Sequence, residues 1–432
     1  MITEKNNCRK ISAMYDYDII IVGGGPAGFF ASLAARENRP EYRILILEKG
    51  SQPLSKVRIS GGGRCNITHA CYDPAALVTY YPRGSKELRG PFTRFQPRDT
   101  VAWFEEHCVR FKTEADGRIF PVTDRSETIV DCLLSEAQQK DIHLHTRRGV
   151  KSIIPTGEGF SLMTTDAGAL TAYKVLLAAG GGSQSAYRMA TDLGHSIVPP
   201  VASLFTFNIS DARLEGLAGI SLPEVEVSLF HNTRASAKKS GQISAKGALL
   251  ITHWGLSGPA VLSLSSWGAR QLAECGYQAE LRINWLPPNT PESMFHLMQK
   301  VKENHPRRHA NKQDPSGRLP ARLWQRLVPA AGIGPTQAWN EISNKLLRQL
   351  ADELTRGEYF IHGKGVFKEE FVTCGGVLLK EVNFKTMESR LRPGLHFAGE
   401  ILDIDGLTGG FNFQAAWTTG WLAGQGMAKE KG

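Results

Sequence analysis

Three glycines and one acid near the N-terminus have the types and the spacing needed to bind a nucleotide. The glycines follow the pattern Gly23-x-Gly25-x-x-Gly28, and Glu48 comes twenty residues after the last of them. Gly23 permits a tight turn, Gly25 lets the backbone approach a pyrophosphate, and Gly28 lets a helix pack closely on a strand. Glu48 can accept hydrogen bonds from ribose hydroxyls, which favours a free 2′-hydroxyl. Both FAD and NAD remain open from these residues.

The elements that must position these residues are present in the right order. Ile19 to Val22 is a short β-branched apolar run, typical of a central parallel strand that is buried on both faces. The segment from Phe29 to Arg36 is compatible with a helix, whose free N-terminal N–H groups would face the phosphates. Arg43 to Leu47 is a second strand, and it ends at Glu48. The sequence therefore predicts a dinucleotide-binding βαβ unit.

A second glycine-rich stretch follows Glu48 and Lys49. It contains Lys56 and then Gly61-Gly62-Gly63-Arg64-Cys65-Asn66. Three successive glycines suit a backbone that lies against a planar or phosphorylated ligand. Arg64 can pair with a phosphate, and Asn66 can hydrogen bond to the edge of a heterocycle. Cys65 has no C-x-x-C partner, so a packing role is favoured over thiol chemistry.

Two further strands end in glycines. The run Tyr173 to Leu177 leads into Ala178-Ala179-Gly180, and Leu395 to Ala398 leads into Gly399-Glu400-x-x-Asp403. The carboxyl ends of parallel strands are where doubly wound sheets bind ligands. Gly409-Gly410-Phe411-Asn412 then opens a helix, whose N–H groups and dipole can face an electron-rich flavin edge. These segments predict one ligand site built from both ends of the chain.

Composition narrows the class of protein. The 432 residues are enough for two or more domains, and no apolar run reaches the length of a membrane span. Seven cysteines without a C-x-x-C pair argue against a disulfide framework and a zinc site, and favour a reducing cytoplasm. His143 and His145 could share one side of a strand, but no third metal ligand is evident. No metal site is predicted. Residues 1–14 read as a tail.

The middle of the chain has a different pattern. From Val201 short alternating segments predict an antiparallel β domain, and Pro291 to Arg356 is mostly helical by periodicity. The run from Thr252 to Pro259 could line a substrate site, or could be a turn before a helix that starts at Pro259. Between Lys300 and Arg326 there are eight basic residues and two acids. A solvated helical face and loop is favoured over a nucleic-acid surface as the interpretation of this excess, because the segment has no RNA-binding signature and few aromatic residues.

Five motifs taken together resemble one family. They are Gly23 to Gly28, Lys56 with Ile-Ser-Gly-Gly-Gly-Arg-Cys-Asn66, Thr252-His-x-Gly-Leu-Ser-Gly-Pro259, Thr373-x-Gly-Gly-Val377, and Gly399-Glu-x-x-Asp-x-Asp-Gly-x-Thr-Gly-Gly-Phe-Asn412. In this order they resemble a bacterial FAD-binding family of NAD(P)/FAD-dependent oxidoreductases, which includes aminoacetone-oxidase-like and 3-dehydro-bile-acid Δ4,6-reductase-like flavoproteins.

The resemblance implies an α/β fold. A Rossmann-like FAD-binding domain of glutathione-reductase type would comprise residues 15–198 and 373–432. An insert at 199–372 would interrupt it, with a β-barrel at 199–288 and 357–372 and a helical subdomain at 289–356. The cofactor-binding residues predicted from the motifs and the resemblance are Gly23, Gly25, Pro26, Ala27, Gly28, Glu48, Lys49, Lys56, Gly62, Gly63, Arg64, Cys65, Asn66, Val150, Ala179, Gly180, Gly399, Glu400, Asp403, Gly409, Gly410, Phe411 and Asn412.

The function expected from these residues is that of a flavoprotein oxidoreductase with non-covalent FAD. NADH or NADPH would serve as a transient hydride donor, and a small organic molecule would be the acceptor. Two alternatives stay open: an aminoacetone-like amine oxidase that uses O₂, and a flavin-bearing RNA-associated protein. No acid, base or nucleophile stands out, so the catalytic residues are left unassigned, and the sequence gives no oligomeric state.

Overall fold

The chain is known from a computed structural model that describes residues 14–230, 243–365 and 372–429. It folds into two compact units, Met1–Val201 with Val372–Gly432, and Ala202–Phe371. Most of the predicted N-terminal tail (1–13) and two parts of the predicted insert (231–242 and 366–371) lie outside the described residues. Each unit has a hydrophobic core of its own.

The first half of the chain alternates between strands and helices. Before the second unit the strands are β1 Tyr17–Val22, β2 Ile44–Leu47, β3 Thr68–His69, β4 Phe111–Thr113, β5 Arg118–Pro121, β6 His143–His145, β7 Val150–Thr156, β8 Gly159–Thr164, β9 Ala169–Leu177 and β10 Ile197–Ser203. The helices of the same stretch are α1 Pro26–Asn38, α2 Ser55–Gly63, α3 Pro74–Leu77, α4 Ser85–Phe92, α5 Pro97–Glu106, α6 Glu127–Gln139 and α7 Gln184–Asp192.

After β10 the chain adds strands and helices to both units. The remaining strands are β11 Phe207–Asn208, β12 Ser221–Phe230, β13 Ile243–Thr252, β14 Gly255–Ser257, β15 Ala279–Asn284, β16 Gly357–Ile361, β17 Gly363–Lys364, β18 Val372–Val377, β19 Val382–Asn383, β20 Glu388–Ser389 and β21 Leu395–Phe397. The remaining helices are α8 Pro259–Trp267, α9 Ala269–Glu274, α10 Pro291–Asn304, α11 Ala321–Ala330, α12 Asn344–Arg356 and α13 Phe411–Met427.

The first unit is built on a parallel sheet with the order β21-β9-β1-β2-β6. In β1, Ile19 lies opposite Ile44 on one side and Lys174 on the other. Ile19, Ile20 and Ile21 are fully buried, as a strand with covered faces requires. The predicted central parallel strand is therefore confirmed. Antiparallel strands extend the sheet: β8 pairs with β9 and β7, and β20 pairs with β21 and β19.

The C-terminal helix α13 returns to pack on the N-terminal helix α1. Their contact is close because glycines of α13 face the backbone of α1. A Cβ atom built on Gly420 would lie 2.4 Å from the carbonyl oxygen of Ala27, and one on Gly424 would lie 2.4 Å from that of Ala31. Contacts this short exclude any side chain at either glycine. Both ends of the chain are thus held together next to the first glycine turn.

The parallel sheet contains one buried titratable group with an unusual proton affinity. His396 of β21 is buried, its Nδ1 lies 3.3 Å from the carbonyl oxygen of Gly394, and its Nε2 has no hydrogen-bond partner in the described part of the chain. Burial, with a smaller effect from the charge of Lys174, lowers the pKa of His396 to about 3. The imidazole is therefore neutral in the folded protein at ordinary pH.

This burial predicts a loss of stability in acid. An unfolded histidine binds a proton near pH 6.5, so between about pH 6.5 and pH 3 the unfolded state alone takes it up. His396 should therefore lower the free energy of unfolding by ~1.4 kcal/mol per pH unit as the pH falls through that window. In urea unfolding at several pH values, the difference between wild type and His396→Leu should be constant above about pH 7.5 and should shift in favour of the variant below about pH 6. A difference that does not depend on pH would contradict the assignment.

The second unit contains a seven-stranded antiparallel sheet with the order β16-β15-β12-β13-β14-β11-β17. The run from Thr252 to Ser257 contains the end of β13, a turn at His253 and Trp254, and β14, and α8 begins at Pro259, as one of the two sequence interpretations proposed. Helices α10, α11 and α12 follow, and the buried tryptophans Trp285, Trp324 and Trp339 belong to the core of this unit. This unit thus has antiparallel strands followed by helices; the division of the predicted insert into a barrel and a helical subdomain stays a prediction.

Neither a membrane-spanning helix nor a metal-binding cluster is found in the described part of the chain. No helix among the described residues is long and apolar enough to cross a membrane. Within residues 14–230, 243–365 and 372–429, no group of three or more His, Cys, Asp or Glu side chains is placed to hold a metal ion.

Candidate functional site

The glycine-rich corners predicted from the sequence meet at one edge of the parallel sheet. β1, β2, β9 and β21 run parallel, so their carboxyl ends lie along the same edge. Gly23, Glu48, Ala178 and Ala398 are the residues that follow these four strands. This edge is where doubly wound sheets bind nucleotides.

The first corner, Gly23 to Gly28, combines two closed positions with an open one. Gly23 has φ +114°, and its Cβ would lie 2.4 Å from the carbonyl oxygen of Ala178. A Cβ on Gly28 would lie 2.2 Å from the carbonyl oxygen of Gly23. No heavy atom of the described residues lies within 4 Å of a Cβ built on Gly25. The corner is thus tightly packed on the sheet side and leaves a cradle open at Gly25.

Helix α1 begins directly at this cradle. Pro26 occupies its first turn, and no side chain among the described residues caps its N-terminus. The leading N–H groups of a helix have no partner within the helix, and the positive end of its dipole is at the same place. Together these features form an anion-binding site suited to a pyrophosphate.

Glu48 is anchored and still has accepting capacity. Its Oε2 accepts the N–H of Gly24 at 2.8 Å, and its Oε1 accepts the N–H of Gly50 at 2.6 Å. A carboxylate has about four acceptor positions, so each oxygen can accept one more hydrogen bond. The next residue, Lys49, lies beside Gly149. Gly149 precedes the buried Val150, the first residue of β7. The Glu48 carboxylate is therefore fixed in position and can bind the hydroxyls of a ribose.

The ends of β9 and β21 form a second corner. The Glu400 carboxylate forms an ion pair with the ammonium of Lys56, and the N–H of Gly181 lies 3.4 Å from the same oxygen. A Cβ on Gly399 would lie 3.0 Å from the Cβ of Ala27. Gly180 has φ +76° and open space around it, with no described heavy atom within 4 Å of a Cβ. The structure thus places Ala27, Lys56, Gly180, Gly399 and Glu400 close together. Ala179 lies between the end of β9 and Gly180.

The third corner is the start of α13. Gly409 and Gly410 have φ +127° and +91°, and a Cβ on Gly410 would lie 2.7 Å from the carbonyl group of Thr68. No described side chain caps α13, so its first N–H groups are available. The Phe411 ring stacks on Tyr80 with a centroid distance of 4.2 Å and on His69 with 4.8 Å. A flat aromatic stack therefore flanks the positive end of a helix dipole.

Two of the predicted binding residues use their side chains within the protein. Asn412 accepts the N–H of Gly406 at 2.8 Å and donates to the carbonyl oxygen of Gly406 at 2.9 Å. The Oδ1 of Asp403 accepts the N–H of Gly375 at 3.0 Å. Both side chains brace the backbone that leads to Gly409, so their contribution here is to position the corner. Direct contact of either with a cofactor stays a prediction.

The stretch from Lys56 to Asn66 differs from the predicted glycine loop. Its first part is helical, and α2 extends formally to Gly63 across a break in which Gly61 and Gly62 have left-handed φ of +57° and +69°. Space is open at Gly62 and Gly63, with no described heavy atom within 4 Å of a Cβ. Asn66 is buried, and its Oδ1 lies 3.3 Å from the N–H of Ile119. The open glycines still suit a ligand that lies against them.

Arg64 is engaged by acids distant in the sequence. Its guanidinium donates to Glu114 at 2.5 Å and to Asp124 at 2.8 Å, and it lies 4.0 Å over the Phe120 ring. The hydrogen bonds that Arg64 donates to Glu114 and Asp124 raise the pKa of its guanidinium group. Its positive charge is therefore balanced inside the protein, whereas the sequence suggested a phosphate partner.

Cys65 has the packing role that the sequence favoured. Its side chain is buried, and burial raises the pKa of the Cys65 thiol to about 12. The nucleophilic form of cysteine is the thiolate, so at neutral pH this group is inert.

Several residues near the corners were not among the site residues predicted from the sequence. The Tyr187 hydroxyl accepts the N–H of Gly182 at 3.1 Å, and burial, with the charges of Glu400 and Asp403, raises the pKa of Tyr187. Tyr80 and His69 supply the rings stacked near Phe411. None of these side chains lies in a glycine motif, and each is brought to the site by a different element, so no sequence signal marks them.

These residues fit a dinucleotide that carries a flavin. FAD would place its adenosine ribose at Glu48, its pyrophosphate at Gly25 and the start of α1, and its flavin side at Lys56, Glu400 and the start of α13. The open positions at Gly25, Gly62, Gly63 and Gly180 leave room where a backbone must approach such a ligand. A second Gly-x-Gly-x-x-Gly after a strand, as a second dinucleotide would need, is not found in the sequence.

Comparison with known proteins agrees with this geometry. The model of the HI0933-like protein Rossmann domain matches residues 17–426. The chain is 31% identical to a ribosomal RNA dihydrouridine synthase of Escherichia coli (strain K12), over 97% of this chain and 100% of that protein. It is 27% identical to a 3-dehydro-bile acid delta(4,6)-reductase of Clostridium scindens, over 95% of this chain and 98% of that protein.

A solved structure shows the same fold at low identity. The 3-ketosteroid-delta4-(5alpha)-dehydrogenase of Rhodococcus jostii RHA1 superposes with a TM-score of 0.50 and 14% identity, and the match covers 96% of this chain and 98% of that one. The family match extends over almost the whole chain, from β1 to the end of α13. The chain therefore belongs to the HI0933-like family of FAD-binding Rossmann proteins and is an FAD-dependent oxidoreductase.

Proposed function

We propose that the chain is an FAD-dependent reductase that converts uridine in ribosomal RNA to dihydrouridine. The observation that carries this proposal is the 31% identity, over 97% of the chain, to a relative named for that reaction. The sequence alone favoured a small organic acceptor and kept a flavin-bearing RNA-associated protein as an alternative. The identity to the relative, together with the formal net charge of +9, favours an RNA substrate.

The names of the two relatives describe one kind of chemistry. Dihydrouridine is uridine with its C5=C6 double bond saturated, and the bile-acid enzyme reduces double bonds of a 3-oxo compound. In uridine this double bond is conjugated to the C4 carbonyl group, so its reduction adds a hydride at C6, the β carbon, and a proton at C5, the α carbon. The balanced reaction is uridine, NAD(P)H and one proton giving dihydrouridine and NAD(P)⁺. We infer that this chain carries out the same type of addition.

Each corner has a defined task in this proposal. Bound FAD would supply the hydride transfer between donor and acceptor. The Glu48 carboxylate would hold the ribose of FAD, and the N-terminus of α1 would balance the charge of its pyrophosphate. The ion pair between Lys56 and Glu400 places a cation and an anion where ribityl hydroxyls can hydrogen bond. The uncapped start of α13 stabilises negative charge that develops beside it. The residue that protonates the α carbon stays unassigned.

Finer features of the architecture are part of the same proposal. We infer that the first unit is of the glutathione-reductase type, with residues 15–198 and 373–432 as its domain, and that 199–372 is an insert. We also infer that the seven-stranded sheet curves into a barrel, because its two edge strands β16 and β17 follow each other in the chain with only His362 between them. NADH or NADPH as donor and a cytoplasmic location belong to the proposal as well.

The direct test is to look for the product in RNA. The purified chain loaded with FAD would be incubated without oxygen with NADPH or NADH and an unmodified ribosomal RNA transcript, and the digested nucleosides would be analysed by mass spectrometry. We expect NAD(P)H-dependent formation of dihydrouridine, which requires FAD. Oxidation of NAD(P)H with no dihydrouridine in any ribosomal RNA transcript would contradict the proposal.

A second candidate function is the reduction of a small conjugated ketone. The relative from Clostridium scindens favours it at 27% identity over 95% of the chain. In the same assay a 3-oxo-4,6-diene steroid would replace the RNA. Its reduction, with RNA left unchanged, would favour this candidate. Flavin reduction by aminoacetone without any nicotinamide would favour the amine-oxidase alternative.

A further inference from the structure

The basic segment, defined as Arg307 to Arg326, is an excess of positive charge that the flavin site does not use. It includes Arg307, Arg308, Lys312, Arg318, Arg322 and Arg326, and all six side chains belong to exposed residues. The wider stretch from Lys300 to Arg326 holds eight basic residues and two acids, in a chain of formal net charge +9. Most of the net positive charge of the protein is therefore concentrated in a short part of the second unit.

The loop at the start of the basic segment is held in one conformation by its backbone. The N–H of Trp339 donates to the carbonyl oxygen of Arg308 at 3.0 Å, and the N–H of Asn340 donates to that of Pro306 at 2.9 Å. The N–H of Ala310 donates to the carbonyl oxygen of Gln337 at 3.0 Å. Because these bonds fix the backbone, the exposed side chains of Arg307 and Arg308 start from a rigid base. Less conformational entropy is then lost when they bind a ligand.

Helix α11 carries two further residues of the segment. Arg322 and Arg326 are four residues apart on its exposed side, whereas Leu323, Trp324, Leu327 and Val328 are buried, and Arg318 lies in the loop before the helix. The Trp324 Nε1–H donates to the carbonyl oxygen of Ala310 at 2.9 Å. This bond attaches the short 3₁₀ turn Ala310–Lys312 to α11, so the loop and the helix form one packed element.

The acids near the segment do not balance its charge. Asp314 is buried, and its carboxylate accepts the N–H groups of Ser316, Arg318 and Leu319 at 2.9 to 3.0 Å, so it holds the loop. Glu224 lies 3.9 Å from Arg318, a distance at the limit of an exposed ion pair. An excess of like charge in one part of a chain produces repulsion in the free protein. An anionic partner would relieve that repulsion.

We propose that the basic segment binds the phosphate backbone of RNA. This inference rests on the proposed function, since it names the surface that would hold the ribosomal RNA substrate. Five of the six residues are arginines, whose planar guanidinium groups can contact a phosphate through two parallel hydrogen bonds. The segment contains few aromatic residues, so it supplies affinity through phosphates and leaves the choice of base to other residues.

The test compares RNA binding by variants of the full FAD-loaded chain. The loop variant combines Arg307→Gln, Arg308→Gln and Lys312→Gln, and a second variant combines Arg322→Gln and Arg326→Gln. The matched control removes three exposed charges from the first unit through Lys151→Gln, Lys380→Gln and Lys385→Gln. An unmodified ribosomal RNA transcript is the probe, and its affinity is measured at several salt concentrations.

We expect the loop variant to bind the RNA at least about tenfold more weakly at low salt, and the slope of log affinity against log salt to fall by about two. In the control variant the RNA affinity and its salt slope should change by much less. NAD(P)H should still reduce the flavin of every variant. Loop and α11 variants that bind RNA as the control does would overturn the inference. Normal binding by wild type with no dihydrouridine formed would instead contradict the proposed function. The loop variant could instead lose binding to vesicles of phosphatidylglycerol and phosphatidylcholine while it still binds RNA as wild type does. That result would indicate a membrane as the partner and would also overturn the inference.

Discussion

Gly25→Val should strongly weaken FAD binding and leave the fold intact. Gly25 has φ −93° and ψ −175°, an extended conformation that valine adopts readily, and it precedes a proline, where extended residues are favoured. A Cβ at this position meets no heavy atom of the described residues within 4 Å. The space that valine would fill is the cradle at the start of α1. We expect FAD affinity to fall at least about a hundredfold, equal to ~2.8 kcal/mol.

The matched control for this prediction is Gly28→Ala. A Cβ on Gly28 would lie 2.2 Å from the carbonyl oxygen of Gly23, so the strand and helix must move apart. We expect Gly28→Ala to lower the free energy of unfolding by roughly 1–3 kcal/mol, whereas Gly25→Val should change it by less than about 0.5 kcal/mol when no FAD is added. FAD titration followed by flavin fluorescence, and urea unfolding without added FAD, measure the two effects. FAD binding by Gly25→Val as tight as that of wild type would show that the cradle is not the pyrophosphate site.

Asp405→Ala should lower the stability of the protein more than any other substitution proposed. The Asp405 carboxylate is fully buried, and it forms a two-point ion pair with the guanidinium of Arg83, whose side chain is 11% exposed. Removing one member of a buried pair leaves the other charge in the interior without that counter-charge, which costs about 3–5 kcal/mol. Asp405 also lies in the segment that leads to Gly409 and Gly410, so FAD affinity should fall together with stability.

Urea unfolding of Asp405→Ala tests this prediction against an exposed ion pair. Asp352 and Arg356 are partners at i and i+4 on α12 with both side chains about half exposed. Asp352→Ala should therefore cost no more than about 0.5 kcal/mol. The double variant Arg83→Met with Asp405→Leu should recover part of the loss, because it removes both charges at once. A cost below about 1 kcal/mol for Asp405→Ala would mean that the pair contributes little to the fold.

The strands and corners of the first unit could be predicted because they depend on local sequence. A β-branched run such as Ile19 to Val22 has few alternatives to a buried parallel strand, and a glycine turn directly after it restricts where a ligand can lie. The same reasoning placed Glu48 and Gly399 at strand ends, and the parallel pairing of β1, β2, β9 and β21 puts them at one edge.

Side-chain partners could not be predicted where they come from distant parts of the chain. Arg64 has the residue type for a phosphate contact, but its guanidinium group is hydrogen bonded to Glu114 and Asp124. Nothing in the sequence around these two acids indicates that they contact Arg64. Asn412 could equally face a ligand or its own loop, and the fold turns it to Gly406. The pairing of Arg83 with Asp405 joins positions more than three hundred residues apart. Such contacts depend on tertiary packing, which residue spacing does not encode.

The central claim is that both ends of the chain build one FAD site at the edge of the parallel sheet. A structure of the chain with FAD bound tests this claim most directly. We expect the ribose on the Glu48 carboxylate, the pyrophosphate at Gly25 and the start of α1, and the flavin ring beside Gly409 and Gly410. FAD bound elsewhere, or with its pyrophosphate away from Gly25, would contradict the claim.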